Sequence, residues 1–118
     1  MDIPGDAVRL RIHIGANDTF AGRPLVEAIV DQARMHHLAG ITALQGISGF
    51  GESSHVHRIE LMLSHDLPIV IEIVDAQERI DGFLPVIQDM IGTGLVTTEP
   101  VRVLRYGATT KSGQASSC

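Results

Sequence analysis

The chain has 118 residues, a net charge of −5, 44% apolar residues and only 3% aromatics. That length sets one domain with one core, and the composition makes the core aliphatic. An acidic balance argues against a general nucleic-acid binder, because phosphate neutralisation needs a basic surface. No apolar run reaches the length of a membrane span. Met1 to Asp6 carries neither the basic nor the apolar region of a signal peptide, so a cytoplasmic location is expected.

The single cysteine, Cys118, and the single lysine, Lys111, both lie in a Ser/Gly-rich tail. An intrachain disulfide is excluded, and a held thiol nucleophile is not expected. The folded part has no lysine for a Schiff base or a Walker-type phosphate loop. A bound anion would have to be held by arginine, backbone N–H groups, hydroxyls or a metal.

Val8, Leu10, Ile12 and Ile14 alternate with Arg9, Arg11 and His13, the period of a half-buried strand. Asn17-Asp18-Thr19 reads as a turn. A helix is expected from Pro24, with Leu25, Ala28, Ile29 and Ala33 on one face and Gly40 as its C-terminal glycine. His36-His37 near its end suits the helix dipole. Ile41 to Ser48 reads as the second strand.

Gly46-Ile47-Ser48-Gly49-Phe50-Gly51 and Glu52-Ser53-Ser54-His55-Val56-His57 follow, a glycine-rich run that turns polar. They read either as a plain hairpin connection or as a backbone nest for an anion, with Arg58 beside it and Arg23 or Arg34 as further cations. His55 and His57 would share one side of an extended segment, half of a metal site that Glu52, Glu60 or His65 would have to complete. Exposed loop histidines are the commoner explanation, and a resident metal is not expected.

Pro68 introduces the strand Ile69-Val70-Ile71-Glu72-Ile73-Val74. Glu72, inside this apolar strand, is expected to pair with Arg11, Arg102 or a neighbouring subunit. Asp75 with Glu78 resembles a capping box for a second helix on Ile80, Leu84, Ile87 and Ile91, kinked at Pro85 or starting later at Asp81. Gly92-Thr93-Gly94 ends it, and Leu95 to Tyr106 supplies the last strand. The fold expected is α+β, a ferredoxin-like βαββαβ domain over residues 7–107, followed by a disordered tail over 108–118. Two helices would cover one face of an antiparallel sheet, on Val8, Leu10, Ile12, Ile14, Val101 and Val103. The other face would carry Arg9, Arg11, His13, Glu72, Arg102, Leu104 and Tyr106. With Val70 and Val74, that face suits a symmetric subunit interface.

Gly15, Gly22-Arg23-Pro24-Leu25, Gly40-Ile41-Thr42-Ala43, the glycine run, His55-Val56-His57-Arg58, Leu67 to Asp75 and Gly94-Leu95-Val96-Thr97, taken in order, resemble domain of unknown function 190. That family is similar in fold to the P-II nitrogen-regulatory and divalent-cation-tolerance proteins. The resemblance implies a homotrimer with small-ligand sites between subunits. It also implies a regulatory, signalling role toward a partner, either a membrane transporter or channel or a cytoplasmic enzyme. Gly46, Gly49, Phe50, Gly51, Ser53, Arg58, Gly92, Gly94 and Thr97 are the ligand-binding residues so implied, with an adenine nucleotide as the ligand in view. The chain departs from P-II proteins in having a short loop without tyrosine and no lysine near Gly92. Two alternatives stand beside this reading. One is a divalent-metal protein using His55 and His57. The other is an enzyme on a small phosphorylated substrate, for which no nucleophile–base pair stands out.

Overall fold

The computed structural model describes residues 5–46, 67–109 and 115–116. Strand β1 (Asp6–Gly15) is followed by a small hairpin of β2 (Thr19–Phe20) and β3 (Arg23–Pro24), then helix α1 (Leu25–Met35) and β4 (Thr42–Gln45). After β4 come β5 (Pro68–Asp75), α2 (Gln77–Met90) and β6 (Leu95–Arg102). The sheet order is β4-β5-β1-β6, with every pairing antiparallel. This is the ferredoxin-like arrangement the sequence pattern implies. The expected disordered tail starts at residue 108; within it β7 (Ala108–Thr109) pairs with β8 (Ala115–Ser116).

Period-two alternation builds the core. Leu10, Ile12, Ile71 and Ile73 are almost wholly buried beneath Ile29 of α1 and Ile80, Phe83 and Ile87 of α2. The buried stripe of α1 is Leu25, Ala28, Ile29 and Ala33, as its spacing requires. On α2, Phe83 and Met90 take the deep positions, and Leu84 and Ile91 pack at the margin. Pro85 lies inside this helix, which starts at Gln77 rather than at Asp81.

Several local expectations are corrected. Helix α1 is capped by His36, not Gly40, and His37 takes the left-handed conformation at φ 57°. The bonds Leu38 N to Ala33 O and His37 N to Arg34 O complete a Schellman turn there. Pro24 is the N-cap, one residue before the helix. On β6 the expected face is inverted. Ala7 faces Val101 and Arg9 faces Glu99, so Val101 shares the open face with Arg9, and Arg102 takes the helix-side parity. The strand ends at Arg102, leaving Val103, Leu104 and Tyr106 beyond it. The ion pair of Arg9 with Glu99 matches this register. Glu72 pairs with Arg11 at 2.7 Å, one of the partners anticipated.

Asp75 is also not the helix cap. It is the last residue of β5, fully buried, and Ala76 holds the N-cap position. Its carboxylate accepts from Ala76 N at 2.7 Å and from Ala39 N at 2.8 Å, while Arg79 Nε lies 3.8 Å away. Arg79 also donates to His37 O, and Tyr106 donates to Ala39 O. Asp75→Ala would leave two backbone donors without an acceptor and should cost about 2–4 kcal/mol in urea unfolding. His37→Gly should raise stability by about 0.5–1 kcal/mol in the same assay, since glycine carries no Cβ penalty at positive φ.

Candidate functional site

The sheet places several of the expected ligand-binding residues at one of its ends. β4 and β6 run so that Gly46, just after β4, and Gly94, just before β6, both sit where β1 finishes and β5 begins. Gly46 donates to Pro68 O at 2.7 Å, and a Cβ on it would meet Pro68 Cγ at 2.7 Å. Gly94 is less forgiving because it meets backbone: a Cβ there would lie 2.8 Å from the His13 carbonyl oxygen and 3.1 Å from Ile91 Cγ2. Both glycines therefore have a close-packing reason to be glycine, independent of any ligand. Gly92 differs: a Cβ there would meet nothing within 4 Å.

A shallow cavity of about 180 Å³ opens beside Gly92, lined by Asp18, Thr19, Leu25, Met90 and Thr93. Asp18 is fixed at its rim, accepting from Gly15 N through Oδ2 at 2.9 Å and from Leu25 N through its carbonyl at 2.7 Å. Among the described residues, the only charge lining this cavity is the Asp18 carboxylate. Hydroxyls of Thr19 and Thr93 can donate to a ligand, but a phosphate placed here would face Asp18 with no described cation to offset it. Sequence reasoning treated Asp18 and Thr19 only as turn formers; their position beside a glycine-bounded helix end was the signal for more.

Thr97 lies on the open sheet face directly opposite Arg11, whose guanidinium is engaged by Glu72. Arg23, expected as an anion-binding cation, is held by Asp31 at 2.6 Å and lies 3.8 Å from Glu27. Gly49, Phe50, Gly51, Ser53, His55, His57 and Arg58 lie outside the described residues. Among the described residues no group of three His, Cys, Asp or Glu side chains could hold a metal ion.

Within one protomer, the described residues of the expected site do not converge. Gly46 follows the edge strand β4, and Gly94 precedes the opposite edge strand β6. Three inter-strand spacings separate the two edges, roughly 14 Å. The two glycine positions can be told apart by stability. Gly94→Ala should destabilise by about 1–3 kcal/mol, because the clash is with backbone. Gly92→Ala should stay within about 0.5 kcal/mol of the parent. Parallel thermal melts would check both.

The chain is 33% identical over 96 residues to a UPF0166 protein of Aquifex aeolicus, covering 80% of this chain and 90% of that one. It is 31% identical over 88 residues to a UPF0166 protein of Methanocaldococcus jannaschii, covering 74% and 82% respectively. Among solved structures, it is similar in fold to CPII, a nitrogen regulatory PII-like protein from Thiomonas intermedia K12 bound to ADP, AMP and bicarbonate. The TM-score is 0.60 at 21% identity, over 85% of this chain and 90% of that one. The same protein bound to ADP and bicarbonate gives a TM-score of 0.58. The family DUF190, described as an uncharacterized ACR, matches residues 7–103, and the chain belongs to that family.

Proposed function

We propose that this protein is a P-II-like regulatory module that assembles as a homotrimer and binds an adenine nucleotide between subunits. Binding would then alter the surface offered to a partner protein. The observation that carries the reading is the fold shared with a PII-like protein bound to ADP and AMP. The opposite-edge placement of Gly46 and Gly94 supports it. A cleft closed by two protomers would bring one edge from each, which a single protomer cannot do.

The nucleotide would be held differently from a lysine-dependent phosphate loop, because the only lysine is Lys111. Arg58, the backbone N–H groups of 49–51 and the hydroxyl of Ser53 are the groups assigned to the phosphates, with Gly92 and Thr97 on the facing edge. Ordering of that glycine segment by the ligand is the step that would reach a partner, through differential affinity for two conformations. The partner class in view is a membrane transporter or channel, or a cytoplasmic enzyme.

A thermal-shift panel of adenine and guanine nucleotides, cyclic nucleotides and divalent metals tests this directly. A ligand at about one hundred times its dissociation constant adds roughly 2.7 kcal/mol, a rise of several degrees in Tm. An adenine-specific rise is expected, and a rise from metal alone would move the assignment to His55 and His57. Arg58→Ala should weaken nucleotide binding by about tenfold or more, with the fold and oligomer kept. Unchanged affinity by calorimetry would remove Arg58 from the site.

A further inference from the structure

The register of the sheet writes a distinct pattern on the face the helices leave open. Leu44 faces Val70, Val70 faces His13 and His13 faces Leu95, so one row crosses all four strands. Leu44 is 51% and Leu95 56% exposed. The adjoining row is Thr42, Glu72, Arg11 and Thr97, and the next is Val74, Arg9 and Glu99. Arg11 is paired with Glu72 and Arg9 with Glu99, so these four charges cancel within the face. Such a face can be covered by a second copy of itself without net repulsion. His13 is different, since it forms no ion pair or hydrogen bond with the described residues and stands in the apolar row.

We propose that His13 makes self-association across this open face pH-sensitive, with assembly favoured when the imidazole is neutral. The proposal rests on the oligomeric reading above and adds a regulatory device to it. Covering the row Leu44–Val70–His13–Leu95 with another copy removes His13 from water. Desolvation opposes the charged form, so protonation favours the free protomer. Histidine is the side chain whose charge ordinarily changes between about pH 5 and 8.

Among the described residues, the groups facing His13 offer no partner that would hold it charged in the assembly. From β5 these are Val70 directly, with Pro68 and Glu72 on the diagonals; from β6 they are Leu95 directly and Thr97 on the diagonal. On its own strand the face neighbours are Arg11 and Gly15. The one carboxylate among them, Glu72, is paired with Arg11 at 2.7 Å, so the two charges offset each other beside His13. The helices pack on the other face.

Sedimentation velocity of the full chain at about pH 8 and about pH 5.5 tests the device, using the parent, His13→Leu, His13→Gln and Val70→Arg. The parent should lose about tenfold or more of its apparent association constant at the lower pH, a one-unit linkage effect. His13→Leu should assemble equally at both values. His13→Gln, neutral and polar, should also lose the pH response and covers the case in which the leucine variant misfolds. A pH-independent parent, or a His13 variant with the parent's full response, would overturn the proposal. Val70→Arg separates the two levels. If it is monomeric at about pH 8 while the histidine variants keep the pH response, only the switch fails. If it assembles like the parent, the open face is not the interface and both readings fall.

Discussion

A buried carboxylate is the constraint on which the end of this fold opposite the glycines depends. Asp75 is wholly inside the protein, and a charge there is tolerable only if donors surround it. Two backbone N–H groups meet it, one opening α2 and one from the loop that leads into β4. A strand end, a helix start and the connection from α1 to β4 are thereby fixed to a single side chain. Arg79 and Tyr106 then act on the same loop through His37 O and Ala39 O. The chain can afford a left-handed histidine at the end of α1 because this loop is held from three directions.

With that end fixed, β4 is placed as an edge strand whose four residues are all exposed. The helices cover β1 and β5 well, yet they leave β4 and most of β6 outside the core. Among the described residues, the two edge strands and a face whose charges cancel internally fit the self-association proposed above. A monomer has reason to blunt a free edge with charge, but β4 carries Thr42, Ala43, Leu44 and Gln45.

Periodicity made the scaffold legible. The alternation from Val8 to Ile14 and the helical spacing of Leu25, Ala28, Ile29 and Ala33 each describe a face that has to be buried, and each is buried. What could not be read was set by tertiary partners. The Val101–Val103 alternation looks like core on its own, whereas the cross-strand register turns it the other way. Asp75 has the residue type and spacing of a cap, but its second partner, Ala39, is far away in sequence. The candidate site was legible only as a set of residue types. Gly46 and Gly94 turn out to have packing duties, which no spacing rule distinguishes from ligand contact.

That distinction changes how the glycines bear on function. A glycine demanded by a neighbouring backbone atom says nothing about a ligand, so Gly94 loses weight as a contact while it keeps its role in setting where β6 begins. Gly92, with open space where its side chain would be, gains weight, because the fold itself gives no reason for the missing Cβ. Its cavity carries a carboxylate and two threonines, chemistry suited to hydroxyls and amines more than to phosphate. A nucleotide resting there would place its sugar or base toward Asp18 and send its phosphates away, toward the facing edge of another protomer. The absence of lysine from the folded part is consistent with the same division, because in the proposed site the anionic end of the ligand would fall to Arg58 and backbone N–H groups.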